Sequence, residues 1–131
     1  MTGASKELCV YRISQARDSL READVLLREA MSLRSVVNRL YYAMFYAVLA
    51  LLQTKQLGTS KHSGAIALFD KEFVKTGKFP KELSKALHRA FELRQKGDYM
   101  EDSEISTADM EEIKPLAEQF VNKAEVFVLV E

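Results

Sequence analysis

The sequence predicts an all-α protein, an up-and-down four-helix bundle with one additional short helix. Apolar residues recur at the three- and four-residue spacing of a helix face along nearly all of the 131 residues. Helix-breaking residues interrupt this spacing at few points, because the chain holds only two prolines and five glycines. A strand-like pattern competes only in VFVLV near the carboxyl end. The length favours a single helical domain over residues 1–131.

The first two predicted helices are long. The first runs from about Ser5 to Ala30, and a break is expected over residues 31–33. The second covers about Arg34 to Gln56 and ends at Gly58, which can take the left-handed conformation that closes a helix. Residues near helical spacing on the first helix are Leu8, Tyr11, Ala16, Leu20, Ala23 and Leu27.

The third and fourth helices are bounded by residues that favour helix ends. Thr59 or Ser60 is predicted to cap the third helix, and Gly77 to end it. Pro80 starts the fourth helix, where a missing N–H costs nothing, and Gly97 stops it. The inward residues are Ile66, Phe69 and Phe73 on the third helix and Leu83, Leu87, Ala90, Phe91 and Arg94 on the fourth.

The last helix follows the loop GDYMEDSEI. Ser106 and Asp109 predict its amino-terminal cap. Pro115 is expected to bend this helix or to mark its true start. Its predicted core residues are Ile113, Leu116, Ala117, Phe120, Val121, Ala124, Phe127 and Val128. Four long antiparallel helices and a shorter one make the predicted bundle.

Composition and charge exclude several classes of protein. The segment MTGASKELC lacks the apolar core of a secretory signal, and the lone Cys9 cannot form an internal disulfide, so we expect a cytoplasmic protein. The net charge is zero, but residues 54–97 hold ten basic and four acidic residues, whereas residues 98–131 hold two and ten. Either these regions are solvated or face each other, or the basic one binds a phosphate-bearing partner.

The second helix is the most apolar segment. Thirteen apolar or aromatic residues follow Arg39, from Leu40 to Leu52. This run is too short for a membrane span, which needs about 20 apolar residues. A helix that is apolar on all sides must be surrounded by other helices, by a second subunit, or by both. We therefore expect a homodimer through the face of the second helix.

Polar residues near the amino-terminal end of this helix form a candidate site. Arg39, Tyr42 and Tyr46 share one side of the helix, next to Asn38. Arg39 and Tyr46 stand about 10 Å apart along the axis, which suits two groups contacting neighbouring parts of one nucleotide. Guanidinium binds phosphate, and phenols stack on bases. Alternatively, the arginine pairs with a carboxylate and the tyrosines fill the core.

Two further residues are candidates for the same site. Arg94 lies on the apolar face of the fourth helix and needs a partner, which Asp98 could supply as a structural ion pair or as part of a site with Arg39. His62 stands at the start of the third helix, where anions bind well, although such a residue is also a common surface or capping residue. His88 is too distant in sequence to form a metal site with it, and no common cofactor motif occurs.

The chain resembles the HEPN (higher eukaryotes and prokaryotes nucleotide-binding) family of small helical domains, in its stand-alone prokaryotic branch. The resemblance runs from about Ser5 to Val128 and rests on NRLYYAMFYAVLALL, KHSGAIALFDKEFVKTGKFPKEL and AFELRQKGDY. It implies a dimer through the second and third helices, with an R-x(4–6)-H motif at the dimer cleft that many members use for metal-independent RNA cleavage. Other members work with a small nucleotidyltransferase in toxin–antitoxin modules, and some bind nucleotides without cutting RNA.

Arg39 matches the arginine of that motif, but Tyr46 occupies the position of its histidine. A phenol with a pKa near 10 is a poorer base at neutral pH than an imidazole. The leading hypothesis is therefore a dimeric nucleotide- or RNA-associated module without a cofactor, paired with a nucleotidyltransferase. The alternatives are a metal-independent endoribonuclease toxin that uses Arg39 and Tyr46, and a purely structural partner-binding bundle.

Overall fold

The computed structural model describes residues 3–99 and 105–130, and for residues 97–99 it describes the backbone alone. The helices are α1 (Gly3–Arg28), α2 (Leu33–Thr54), α3 (His62–Phe69), α4 (Lys81–Tyr99) and α5 (Thr107–Val130). A π-helical turn, Asp70–Val74, continues α3. The described residues contain no strand, so the predicted all-α bundle is confirmed, and VFVLV is part of α5.

The ends of α1 and α2 lie at other residues than predicted. Ala30 and Gln56 take positive φ values of 55° and 56°. Leu57 N–H then donates to the carbonyl of Leu52 at 2.9 Å, which closes α2. The prediction that Gly58 supplies the left-handed residue is therefore wrong, because a non-glycine residue two positions earlier does so. Gly77, with a φ of 80°, is a glycine that does adopt this conformation.

The third helix differs most from its prediction. The residue that precedes it is Lys61, and no side chain caps it, so the predicted caps at Thr59 and Ser60 are wrong. Gly64 lets the chain before the helix approach closely, since a Cβ there would lie 3.0 Å from the side chain of Thr59. After Phe69 the hydrogen bonding widens to the π pattern, with Lys75 N–H donating to the carbonyl of Asp70 at 2.9 Å.

The last two helices each settle the prediction for one helix-breaking residue. Gly97 does not stop α4, which continues to Tyr99. Pro115 lies inside α5 and is exposed, and it does not mark the start of the helix. The predicted cap is confirmed, because Asp109 N–H donates to Ser106 Oγ at 3.1 Å and Ser106 N–H donates to the Asp109 carboxylate at 3.3 Å.

The second helix is the core of the bundle. It contacts α1, α3, α4 and α5, and twelve of its 22 residues are buried. The other helices of the same chain bury most of α2, while Tyr42, Tyr46 and Leu49 stay half-buried, so the dimer stays a prediction. By length and composition α2 could cross a membrane, but 67% of its most apolar window is buried in the bundle, as in the core helix of a soluble protein.

Phenylalanine rings fix the short third helix at its carboxyl end. Phe69, Phe73, Phe79 and Phe120 are fully or almost fully buried. The ring centroids of Phe69 and Phe120 lie 5.2 Å apart, and those of Phe69 and Phe79 lie 5.5 Å apart. Such contacts stabilise a core beyond the area that they bury. They hold α3 against α5 and so determine where the first residue of α3 meets α2.

Candidate functional site

A cleft of about 370 Å³ opens at the amino-terminal end of α2. Three arginines reach it from two helices, Arg34 and Arg39 from α2 and Arg94 from α4. Its other lining residues are Leu26, Ser35 and Asn38. Guanidinium groups and small polar side chains around one opening favour a ligand with phosphate oxygens. The positive end of the α2 dipole adds to this preference.

Arg39 is oriented by its neighbour in sequence. Its Nε and Nη2 atoms donate to Asn38 Oδ1 at 3.1 and 2.8 Å. Its Nη1 atom lies 3.7 Å from a carboxylate oxygen of Glu22, whose side chain is 54% exposed. An ion pair this long and this accessible to solvent is weak. The guanidinium is thus held in place by an amide, while its charge is available to an anion that displaces Glu22.

Tyr42 brings two arginines and a histidine together. The guanidinium carbons of Arg39 and Arg94 lie 5.0 and 5.2 Å from the centre of its half-buried ring. The ring of His62 meets it edge-on, with centroids 5.9 Å apart. Cations at this distance from an aromatic ring are attracted to it. The predicted residues Arg39, Tyr42, Arg94 and His62 therefore meet at one end of the bundle.

Tyr46 lies one turn further along α2. Its ring centroid is 5.9 Å from that of Tyr42. Among the residues that the structure describes, no hydrogen bond connects Tyr46 with Arg39. Tyr46 is half-buried and is not among the residues that line the cleft. The contact that would activate its hydroxyl as a base is not formed within one chain.

His62 is held rigidly by α2. Its ring stacks on Phe45 with centroids 4.1 Å apart and an angle of 8° between the planes. Its Nδ1 atom lies 2.8 Å from the hydroxyl oxygen of Tyr41. Burial lowers the pKa of His62, and the positive charge of Arg94 lowers it further. Burial also raises the pKa of Tyr41, so both side chains are neutral at neutral pH.

Sequence reasoning missed several residues of this site. Arg34 and Ser35 lie four and three positions before Asn38, which the sequence analysis did name, and this helical spacing could have placed them beside it. Tyr41 carried no such signal, because its role depends on where α3 folds back onto α2. The predicted ion pair between Arg94 and Asp98 lies outside the described residues, since the side chain of Asp98 is not among them.

The other predicted histidine lies elsewhere. His88 is on α4, and its Nε2 atom lies 2.7 Å from the carboxylate of Asp70 in the π turn. This carboxylate also accepts a hydrogen bond from Ser84 at 2.6 Å, so the cluster connects the π turn to α4. Within residues 3–99 and 105–130, groups of three or more metal-ligating side chains do not occur.

Comparisons with known proteins agree with this architecture. The sequence model described as the HEPN domain matches residues 10–127. A protein of Thermotoga maritima named "UPF0332 protein" is 44% identical over 94% of this chain and 92% of its own length. Two proteins of Methanocaldococcus jannaschii, named "Putative toxin MJ0142" and "Putative toxin MJ0605", are 37% and 34% identical over 89% and 88% of this chain and over 79% and 80% of their own lengths.

The position of His62 predicts a pH dependence of stability. Its pKa is lower in the folded chain than the ordinary 6.5, so the unfolded chain binds more protons near and below that pH. The free energy of unfolding should therefore fall as the pH drops from 7.5 to 5.0. Urea unfolding at several pH values measures this fall, which should be smaller in His62→Gln than in the wild type.

His88→Gln is the matched control, because His88 is exposed and contacts Asp70 of the π turn, not Tyr41. Its stability should follow the pH dependence of the wild type. If the free energy of unfolding falls equally with pH in His62→Gln and in the wild type, the imidazole of His62 does not cause the pH dependence.

Proposed function

The chain belongs to the HEPN domain family, and we propose that it is a nucleotide- or RNA-associated module of a toxin–antitoxin-like system. The observation that carries this proposal is the cleft that Arg34, Arg39 and Arg94 share. The names of two relatives support the toxin-like character of the module. In this proposal the cleft binds the sugar–phosphate backbone of single-stranded RNA or a nucleotide.

The side chains of the cleft divide the recognition of such a ligand. Arg39 and Arg94 bind phosphate oxygens through charge-assisted hydrogen bonds. Asn38 keeps the guanidinium of Arg39 oriented, with Nη2 2.8 Å from its side-chain oxygen. The half-buried rings of Tyr42 and Tyr46 offer a surface for an unstacked base. These contacts do not read a particular sequence, so the proposed ligand is defined by its phosphate and its exposed base.

Binding of RNA should depend on Arg39. Fluorescence anisotropy with a labelled single-stranded RNA oligonucleotide, in EDTA, should give a dissociation constant that rises about tenfold or more in Arg39→Ala, because a charge-assisted contact is lost. The salt dependence of binding should also become shallower by about one unit of slope.

Arg89→Ala is the matched control for charge. Arg89 is exposed on α4 and pairs with Asp109 at 3.3 Å, away from the cleft. Its loss should leave the affinity nearly unchanged. Equal losses in both variants would indicate non-specific attraction by surface charge, and binding that is insensitive to Arg39 would exclude the cleft as the site.

The second candidate function is a metal-independent endoribonuclease. In this chemistry the ribose 2′-OH attacks the adjacent phosphate, a base takes its proton, and a cation stabilises the phosphorane. Arg39 is suited to the role of the cation, and Tyr46 stands where the family motif has its base. A phenol needs a strongly lowered pKa for this role, and the described contacts of Tyr46 are with another tyrosine ring. We therefore place this activity second.

The two candidates differ in RNA cleavage. With purified protein in EDTA, the wild type should leave RNA intact, and Tyr46→His should gain cleavage because imidazole is a far better base at neutral pH. Gel analysis of a labelled RNA measures both. Tyr46→His combined with Arg39→Ala should be inactive and is the control for contaminating nuclease. Cleavage by the wild type that disappears in Arg39→Ala would instead establish the endoribonuclease.

We also propose that the module is a homodimer through an outer stripe of α2. After the other helices have covered α2, half-buried side chains remain at alternating spacings of three and four residues: Arg39, Tyr42, Tyr46, Leu49 and Gln53. Such a spacing is typical of a helix that packs lengthwise against a partner helix. Two copies joined along this stripe would bring both arginine clefts to one interface, where a nucleotidyltransferase could reach them.

Assembly can be measured by light scattering. The wild type should have the mass of a dimer at micromolar concentration, and Leu49→Glu should shift it towards the monomer because a charge is buried without a partner. Val126→Glu is the control, since Val126 is 63% exposed on α5. A monomeric wild type would exclude the dimer. Co-expression with a small nucleotidyltransferase should add the mass of that partner or a covalent nucleotide on a tyrosine.

A further inference from the structure

The hydrogen bond between Tyr41 and His62 determines what the imidazole can do. Tyr41 has no exposed surface, and its hydroxyl oxygen lies 2.8 Å from His62 Nδ1. His62 is the hydrogen-bond partner that the described part of the chain gives to this hydroxyl. A buried hydroxyl hydrogen without an acceptor is costly. The phenol therefore donates to Nδ1, because the opposite arrangement would leave its hydrogen unsatisfied.

An imidazole that accepts at Nδ1 carries its proton on the other nitrogen. In the neutral ring one nitrogen donates and the other accepts. The charged ring, in which both nitrogens donate, could not accept from Tyr41. It would also be half-buried and close to the positive charge of Arg94 on α4. Burial and Arg94 lower the pKa of His62, in agreement with a neutral ring.

We propose that Tyr41 is a positioning residue that holds His62 in the Nε2–H tautomer, so that His62 gives a nucleotide in the cleft a neutral hydrogen-bond donor and not a base. The Nε2 atom lies on the side of the ring opposite to Nδ1 and so points away from the buried phenol. His62 is half-buried and contacts the same Tyr42 ring as Arg39 and Arg94. An acceptor oxygen of the nucleotide held by these arginines is the proposed partner.

This inference rests on the proposed function for its ligand but not for its tautomer. The role of His62 as a donor also differs from that of the motif histidine, whose position is occupied by Tyr46 in this chain. A general base needs a free lone pair, and the lone pair of His62 is already used by Tyr41. His62 therefore does not replace the missing base, although it contacts the same Tyr42 ring as Arg39.

The tautomer can be measured in the free protein by ¹⁵N NMR. The chain has two histidines, so His88→Gln leaves His62 as the sole imidazole signal. Long-range ¹H–¹⁵N correlations should show the Nε2–H tautomer at neutral pH and a titration midpoint below that of a free histidine. Tyr41→Phe should convert this signal to a mixture of tautomers. An Nδ1–H tautomer or a charged ring at pH 7 in the His88→Gln protein would overturn the proposal, whether or not Tyr41→Phe folds.

The donor role can be measured with single-stranded RNA in EDTA. The amide nitrogen of Gln reaches the position of Nε2, whereas that of Asn reaches only the position of Nδ1. His62→Asn should weaken binding about 2- to 10-fold, the usual loss for one neutral hydrogen bond, and His62→Gln should restore most of it. Unchanged RNA affinity in both variants, or an equal loss of affinity in both, would overturn the donor role. The comparison of Arg39→Ala with the wild type would still test the cleft as the binding site. If the wild type binds no RNA, the proposed function and the donor role both fail, and the NMR result still decides on Tyr41.

Discussion

The burial of α2 on nearly all sides is the constraint on which the rest of the structure depends. A helix with twelve buried residues cannot rotate or shift without exposing apolar surface or creating cavities. Its charged side chains, Arg34 and Arg39, lie in the amino-terminal part of the helix. Arg39 and Tyr42 lie where this part meets the outer stripe, which gives the cleft rigid walls without a dedicated loop.

The short third helix is positioned from both ends. Phe69 packs into the phenylalanine layer at one end, and His62 stacks on Phe45 of α2 at the other. The π turn that follows is connected to α4 through Asp70, which binds both Ser84 and His88. A helix of eight residues is marginal by itself, so tertiary contacts of this kind must supply its stability. The same contacts determine the orientation of the imidazole.

Much of the fold and part of the site follow from local patterns. The four long helices were predicted because their apolar spacing is strong, whereas the third is shorter than predicted and continues as a π turn. Arg39 and Tyr42 share a side because of helical geometry. The helix ends were less predictable: Gln56 takes a left-handed conformation that glycine usually supplies, and Gly97 lies within a helix. Contacts between segments that are distant in the sequence could not be predicted. The hydrogen bond between Tyr41 and His62 spans 21 positions and depends on how α3 packs, which no spacing in the sequence encodes.

The ion pair between Arg39 and Glu22 gives the cleft an anion of its own. The carboxylate comes from α1 and lies 3.7 Å from the guanidinium, with over half of its side chain in solvent. In the proposed function, a phosphate that enters the cleft displaces this carboxylate from Arg39. Each such binding event therefore breaks the weak pair between Arg39 and Glu22, which reduces the net gain from the contact with Arg39. The proposed site thereby has a threshold for its ligands: a lone negative charge would gain little over Glu22, whereas a phosphate that reaches several arginines at once would gain more.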